Sequence, residues 1–412
     1  MRVKVENFGP IQNAEFELGD TTIVIGPNAS GKSFLSYLLY SLLTSRVDIG
    51  DVGSKVIDSN NKEFEMGTYT DVIDEVLSRS INRRLEEVFG VNVKKLISFG
   101  AKGSRIELTN SFGTLHVTIT DKFQVEMKVN RQISVNLIER ADSPHGSISI
   151  ELDRNDEIKG LKVYYGSALP FYDEEAKKRS KADLDRNLTW RIADVLLRLF
   201  FESYRSTVIL PTERNVVFSN LFNYLSQQRN LNKPIIKEFI DSLLSVINLM
   251  DLSEKRELNI GMGKINLMCK VGKPMLIEVY DRGEKVPLPL LSSGYSQLIP
   301  IHLMAYLGEF MIIEEPELNL HAGAQIDIAN YLSDLVMSGK KFFLTTHSDI
   351  FTIQMAINHV KRLRGKTLKI YLLNEGKIEE IKPTEKRNVE EIPTISDAIR
   401  LQVKEMHGER TG

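Results

Sequence analysis

The chain has 412 residues, of which 42% are hydrophobic and 26% are charged, so it can bury one large or two ordinary cores and lies outside the disordered range. Its formal net charge of −2 gives no overall attraction to nucleic acid or to a membrane surface. The single cysteine, Cys269, excludes an intrachain disulfide and a cysteine-cluster zinc site.

The first 18 residues alternate Val3, Val5 and Phe8 with polar residues, which predicts antiparallel strands. Asn7, Phe8, Gly9 and Pro10 are expected to form the turn of this opening hairpin. A signal peptide would instead begin with an apolar stretch of about 7–15 residues. Together with the single cysteine, this start predicts a cytoplasmic protein.

A short apolar strand, 22–25, leads into the sequence G-x-x-x-x-G-K-[ST] and then into a helical pattern over 34–43. The eight residues of this loop are Gly26, Pro27, Asn28, Ala29, Ser30, Gly31, Lys32 and Ser33. Backbone N–H groups in such a loop surround phosphate oxygens, and the following helix presents its positive N-terminus. We therefore predict an ATP site. Lys32, expected to be an exposed loop lysine, would reach the β- and γ-phosphates, and the Ser33 hydroxyl would bind Mg²⁺.

Residues 47–285 read as a folded insertion with antiparallel strands over 105–129 and 257–280 and helices over 71–88, 184–204 and 233–250. The insertion shows no heptad series, repeat or low-complexity tract, which argues against a coiled-coil arm. Trp190 lies among apolar residues at helical spacing and is predicted to be core. Basic clusters at 83–95, 177–181 and 361–366 are interpreted as solvated faces, since only their alignment on one surface would indicate a nucleic-acid site.

The stretch 298–313 is the longest apolar one, but His302 and Glu309 interrupt it and it is shorter than the roughly 20 residues that a membrane-spanning helix needs. No membrane partner is therefore expected. Its last part, 310–313, reads as a strand buried on both faces, and so do 22–25 and 341–345, which predicts a parallel sheet. Helical spacing over 295–307 and 324–336 supplies the flanking helices.

Strand 310–313 ends in two carboxylates, Glu314 and Glu315, where open α/β sheets place their ligands. The string Glu314-Glu315-Pro316-Glu317-Leu318-Asn319-Leu320-His321 resembles the Walker B strand, catalytic glutamate and D-loop of ABC-type ATPases. Its EEPE-x-x-LH form is similar to the OLD-like and RecF-like branch, which is related to SMC proteins and is not involved in transport. The resemblance implies that Glu314 holds the magnesium shell and that Glu315 polarises the attacking water.

A serine-glycine loop, 291–297, precedes the acidic strand by about a helix length and resembles the ABC signature loop. By that resemblance Ser292 and Gly294 contact the γ-phosphate bound to the opposite protomer. A simple helix cap is the alternative interpretation of such a loop. The resemblance thus predicts an ATP-dependent homodimer.

Residues 341–348 form a short apolar strand that ends in Thr346, His347 and Ser348 and leads into another helix. This segment resembles the ABC switch strand, in which the histidine hydrogen-bonds the γ-phosphate. A histidine changes charge near neutral pH, which suits a phosphate sensor, whereas a core or capping histidine is the alternative.

The segment Leu210-Pro211-Thr212-Glu213-Arg214 is similar to a family position on a core strand near the Q-loop. Arg214 is accordingly a candidate phosphate ligand, and the alternative is that it pairs with Glu213.

Residues 350–412 suit two strands and a final helix, which is too short for the nuclease domain of OLD proteins, so any nuclease activity would come from a partner protein. We expect an α/β fold of the ABC ATPase type, with residues 1–46 and 286–412 forming the core around the insertion. The expected activity is MgATP hydrolysis. Its use stays open between a nuclease-associated defence system, a RecF-like DNA repair clamp that binds nucleic acid, and a nucleotide-gated scaffold with negligible turnover.

Overall fold

The structure is a computed structural model that describes residues 1–140, 147–153, 157–166, 174–219, 233–252, 257–262, 265–272 and 276–381. It forms two compact units. The first comprises Met1–Thr44, Glu87–Val91 and Tyr204–Gly412, and the second comprises Ser45–Glu86 and Asn92–Ser203.

The helices are α1 Lys32–Leu43, α2 Thr70–Phe89, α3 Glu174–Phe200, α4 Arg214–Ser219, α5 Pro234–Leu252, α6 Ser293–Leu307, α7 Ala322–Met337 and α8 Asp349–Arg362. Strands β1 to β7 are Arg2–Phe8, Ile11–Glu17, Thr21–Ile25, Glu63–Glu65, Ser104–Thr109, Gly113–Ile119 and Phe123–Val129. Strands β8 to β13 are Ser134–Arg140, Ser147–Leu152, Ile158–Gly166, Thr207–Leu210, Glu257–Met262 and Ile265–Gly272. Strands β14 to β19 are Leu276–Asp281, Glu284–Val286, Phe310–Glu314, Lys341–Thr346, Leu368–Asn374 and Lys377–Glu380.

The first unit is built on a mixed sheet in which strands follow the order β11-β16-β17-β3-β18-β19-β2-β1. The pairs β11/β16, β16/β17, β17/β3 and β3/β18 are parallel, whereas β1 and β2 form an antiparallel hairpin in which Phe8 pairs with Ile11. Every residue of β3 and β16 is buried, because helices cover both faces of a parallel sheet. The predicted α/β class with a mixed core sheet is confirmed.

The carboxyl ends of β3, β16 and β17 lie side by side, since Ile25 is in register with Thr346, and Thr345 with Glu314. Each end carries a segment with candidate residues: the loop before α1, the acidic turn after β16 and the turn before α8. Parallel pairing therefore brings three distant parts of the sequence to one edge of the sheet. Strand β11, from the predicted insertion, adds a fourth end beside β16.

A separate antiparallel sheet, β12-β13-β14-β15, also belongs to the first unit. The segment after α8 contains β18 and β19, as predicted, and the predicted final helix lies outside the described residues. Among the described residues, none of the helices combines the length and the apolar character that crossing a lipid bilayer requires.

The second unit contains the meander β5-β6-β7 and a sheet in which the order is β4-β8-β10-β9. In the meander apolar side chains alternate with polar ones, as the period-two pattern predicts. Trp190 of α3 differs from its prediction as a core residue, because it is only partly buried. Its indole Nε1 donates a hydrogen bond to the Val47 carbonyl at 2.7 Å, a contact that a fully apolar environment would not provide.

Candidate functional site

The loop from Gly26 to Ser33 connects β3 to α1 and takes backbone conformations that the sequence pattern requires. Gly31 has φ 108° and stands at the N-cap of α1, and Ala29 also has positive φ, at 62°. A Cβ atom at Gly26 would lie 2.2 Å from the Leu373 carbonyl oxygen, so only glycine fits there. The loop therefore has the glycine-dependent form of a phosphate cradle, with the N-terminus of a 12-residue helix behind it.

Lys32 is the first residue of α1 and is 7% exposed, which corrects the expectation of an exposed loop lysine. Its Nζ donates to the carbonyl oxygens of Gly26 at 2.9 Å and Pro27 at 2.8 Å, so the side chain folds back over the loop. Burial lowers the Lys32 pKa to about 8, while Glu315, Glu314 and Glu317 oppose that shift. The ammonium group thus faces both the cradle and the acidic turn.

Glu314 ends β16 and is 1% exposed. Burial raises its pKa to about 7, and hydrogen bonds from Ser33 and Tyr37 counteract the shift. The Tyr37 hydroxyl donates to Glu314 Oε2 at 3.3 Å, whereas Oε1 is buried without a hydrogen-bond partner in the described part of the chain. A buried carboxylate oxygen without a donor beside the Ser33 hydroxyl is a donor set that suits a hard cation such as Mg²⁺, which takes one or two carboxylates and keeps several waters.

Glu315 differs from its neighbour because 25% of its side chain is exposed and it has a positive φ of 44°. Its Oε1 lies 3.4 Å from His347 Nε2. The hydrogen bond from His347 lowers the Glu315 pKa, and the charges of Lys32 and Arg214 act in the same direction. Glu315 is therefore ionised near neutral pH.

His347 follows β17 and is neither a core residue nor a helix cap. Its side chain is 32% exposed, and the N-cap of α8 is Ser348, whose Oγ accepts from Phe351 N. The His347 backbone N–H donates to Glu317 Oε1 at 3.1 Å, and Thr346 Oγ1 donates to the same oxygen at 2.6 Å. Glu317 is 7% exposed, and these two hydrogen bonds connect the acidic turn to the end of β17.

Arg214 is the first residue of α4 and is fully buried. Its guanidinium donates to the carbonyl oxygens of Pro211, Glu314 and Glu315, and burial lowers its pKa to about 10. The predicted pairing with Glu213 is wrong, because the Glu213 carboxylate contacts Lys233. The guanidinium is also inaccessible to a phosphate in this arrangement, since it is fully buried. Nη1 and Nη2 donate to main-chain oxygens, and Nε has no hydrogen-bond partner among the described residues.

The loop at 291–297 begins α6, and Ser292 is the N-cap, with its exposed Oγ accepting from Tyr295 N at 3.2 Å. This is the helix cap that was the alternative interpretation of the loop. A Cβ atom at Gly294 would lie 3.3 Å from Leu320 Cδ2, so the loop packs against the acidic turn. The γ-phosphate contacts of Ser292 and Gly294 stay predictions.

The structure thus brings together Lys32, Ser33, Glu314, Glu315 and His347 at one sheet edge. Sequence reasoning missed Tyr37 and Glu317 as members of this site and did not predict the carbonyl contacts of Arg214. Tyr37 lies one helical turn after Ser33, a spacing that could have suggested it. Glu317 stood inside the quoted acidic string, but no local pattern showed its contact to β17.

Several solved structures are similar to the chain. An Smc head domain bound to the C-winged helix domain of ScpA has 11% identity to the chain and a TM-score of 0.43, with 93% of this chain and 98% of that chain covered. An Smc head domain with an extended coiled coil, bound to the C-terminal domain of ScpA and derived from Pyrococcus furiosus, has 12% identity and a TM-score of 0.39, with 98% of each chain covered. The ADP conformation of an ATP-binding cassette of an ABC transporter has 13% identity and a TM-score of 0.35, with coverage of 97% and 99%.

No curated protein sequence matches the chain. The family model described as an AAA ATPase domain matches residues 1–352 of the 412. Since that match spans most of the sequence and includes the cradle, the acidic turn and His347, the chain belongs to the AAA ATPase domain family.

Proposed function

We propose that the chain binds MgATP in the loop from Gly26 to Ser33 and hydrolyses it to ADP and phosphate. The observation that carries the proposal is the convergence of Lys32, Glu315 and His347 at the carboxyl ends of three adjacent parallel strands. Phosphoryl transfer to water uses a phosphate cradle with a cation and a group that positions the water, and here His347 lies beside the Glu315 carboxylate.

In this proposal the backbone of the loop and Lys32 bind the β- and γ-phosphates, and Lys32 exchanges its carbonyl contacts for phosphate oxygens. Ser33 and Glu314 hold Mg²⁺, which when bound neutralises charge on the β- and γ-phosphate oxygens. Glu315 orients and polarises the attacking water, for which its ionised state at neutral pH is needed. His347, held 3.4 Å from Glu315, donates to the γ-phosphate and fixes the carboxylate.

Two variants distinguish the role of Lys32 in binding from that of Glu315 in hydrolysis. Lys32→Ala removes the cation of the cradle, and we expect loss of MgATP binding by calorimetry together with a modest loss of stability, because the side chain is buried. Glu315→Gln keeps the shape of the side chain but not its charge, and we expect ATP to bind while phosphate release falls by about two to four orders of magnitude.

Unchanged nucleotide affinity in Lys32→Ala would contradict the assignment of the loop as the phosphate cradle. If Glu314→Gln binds ATP tightly without hydrolysing it while Glu315→Gln stays active, the roles of the two glutamates are the reverse of those proposed.

The proposal extends to a homodimer closed by ATP, in which Ser292 and Gly294 of one protomer contact the γ-phosphate held by the partner's cradle. The exposed Oγ of Ser292 and the packing of Gly294 against the acidic turn support it. We further propose that residues 1–46 and 286–412 are the two halves of the ATPase core around an inserted region, 47–285.

For the biological use we favour an OLD-like ATPase that drives a nuclease or another effector protein. A RecF-like clamp on DNA and a nucleotide-gated scaffold are the other candidates. Copurification of a nuclease supports the first, DNA-stimulated turnover supports the second, and ATP binding without turnover supports the third.

A further inference from the structure

Arg214 is the largest fully buried side chain of the described residues, and it carries a charge. No carboxylate in the described part of the chain lies within ion-pair distance of its guanidinium, which instead contacts three carbonyl oxygens. Burying a charge is costly unless its donors are satisfied. Nε has no hydrogen-bond partner among the described residues, so the contacts through which this arginine can act are those of Nη1 and Nη2.

The three carbonyls belong to the carboxyl ends of two adjacent strands. Nη1 donates to Pro211 O at 3.0 Å and to Glu314 O at 2.5 Å, and Nη2 donates to Glu315 O at 2.7 Å. Pro211 directly follows β11, and Glu314 ends β16, which pairs with β11 in parallel. The planar fork of a guanidinium can bridge several oxygens at once, whereas a lysine ammonium is a point donor.

Glu315 has φ 44°, in the left-handed region that a glutamate rarely adopts. Its backbone is held on both sides: its N–H donates to Thr345 O at 2.8 Å on β17, and its carbonyl accepts from Arg214. A strained residue persists only where its surroundings fix it. The Glu315 carbonyl also accepts from Leu318 N at 3.0 Å within the acidic turn. Without the arginine, that carbonyl keeps only this local bond, and the link from Glu314 and Glu315 to Pro211 after β11 is lost, so we expect the turn and the carboxylate to shift.

We infer that Arg214 is a positioning residue, which holds Glu315 in its left-handed conformation so that the carboxylate lies beside the cradle and His347. This inference rests on the proposed function, because it gives Glu315 the water-polarising role. A positioning role and the predicted phosphate contact of Arg214 have different kinetic consequences. A positioning residue alters turnover at unchanged ATP affinity, whereas a phosphate ligand alters the affinity itself.

The test is Arg214→Lys, which keeps the positive charge and loses the fork. We expect kcat to fall about 100-fold, as a displacement of about 1 Å of a catalytic group does. The Kd for ATP, measured by calorimetry, should stay within about twofold of wild type, since no phosphate contact is removed. Arg198→Lys is the matched control, because Arg198 is an exposed helix arginine paired with Asp194, and it should leave both quantities unchanged.

A double-mutant cycle separates positioning from general loss of structure. Adding Arg214→Lys to Glu315→Gln should not lower the residual single-turnover rate further, because the group that Arg214 positions is already gone. If Arg214→Lys does not fold, as judged by thermal unfolding, Arg214→Gln takes its place, since its amide keeps two N–H donors.

Additive losses in the cycle, or a raised Kd at unchanged kcat, would overturn the inference. Failure of the proposed function would appear in other measurements. If the wild-type chain releases no phosphate, or if Glu315→Gln has wild-type turnover, Glu315 lacks the role that Arg214 is inferred to support.

Discussion

Two adjacent carboxylates occupy different environments at the end of β16. Glu314 is buried and burial raises its pKa to about 7, whereas His347 lowers the pKa of Glu315. The alternating direction of side chains along a strand explains part of the difference, and the positive φ of Glu315 explains the rest, because it turns that side chain out of the strand. One carboxylate is thereby suited to a cation and the other to a reacting water.

Glu317 gives a prediction at the same scale. Its Oε1 accepts from both Thr346 Oγ1 and His347 N, so it fixes the position of His347. Glu317→Ala removes the acceptor, and we expect phosphate release to fall about 10- to 100-fold. Glu317→Gln keeps one carbonyl oxygen at that position, and we expect it to retain most of the activity.

The matched control is Glu309→Ala, because Glu309 is an exposed glutamate just before the same strand. Equal losses in the alanine and glutamine variants would contradict this account, since they would mean that the charge of Glu317 matters and not its hydrogen bonds.

The residues of the site that the sequence identified share a local signature. The cradle, the acidic strand end and His347 each stand at the end of a short apolar strand. The contacts of Arg214 and Glu317 join positions 100 and 30 residues apart, and no local spacing carries that information. The left-handed φ of Glu315 was equally hidden, because glutamate gives no sign of it.

At the scale of elements, periodicity located the core well. The apolar runs 22–25, 310–313 and 341–345 lie within β3, β16 and β17, and the helical spacings over 295–307 and 324–336 lie within α6 and α7. The order of the strands was not predicted in full. The pairing of β11 with β16 depends on contacts between positions about 100 residues apart, which a pattern of period two or 3.6 does not encode.

Helix α6 is buried on most of its surface and contains a histidine, which predicts an acid-sensitive element. His302 is 6% exposed and stacks on Tyr331 with ring centroids 3.9 Å apart; Nδ1 lies 3.1 Å from Leu298 O, and Nε2 is buried without a partner among the described residues. Burial lowers its pKa to about 4. The neutral ring is therefore favoured in the folded chain, and the stability it permits is present above pH 6.5 and lost as the pH falls toward 4.

We expect protonation of His302 alone to lower the free energy of unfolding by about 2 kcal/mol at pH 5 relative to pH 8. His302→Phe keeps the stacking and cannot be protonated, so denaturant unfolding of that variant should depend less on pH over this range. His116→Gln, at a half-exposed strand position, serves as the control. A His302→Phe variant with the full wild-type pH dependence would show that other groups determine the acid sensitivity.

On the scale of the whole molecule, the proposed dimer would complete each ATP site with residues of a second chain. The cradle and the acidic turn lie in the first unit, and so does Ser292, whose exposed Oγ contacts only its own helix N-terminus in the described structure. If ATP joins the cradle of one protomer to the Ser292 loop of another, each two-fold dimer contains two such sites, and its stability depends on the γ-phosphate.

Light scattering of Glu315→Gln tests this arrangement with ATP, with ADP and without nucleotide. We expect ATP to raise the dimer fraction and ADP to leave it low, because a ligand shifts an equilibrium only by its differential affinity for the two states. Adding Ser292→Arg should abolish the ATP effect by bulk and charge while ATP still binds the cradle, at the cost of about 1 kcal/mol for the lost helix cap. Ser338→Arg, which places the same cation at the exposed end of α7, should leave the dimer intact.

A monomer with full hydrolysis under all three conditions would refute the shared site. A dimer that forms without nucleotide would instead move the ATP-dependent step to a closure within the dimer, and Ser292→Arg would then suppress hydrolysis without changing the mass.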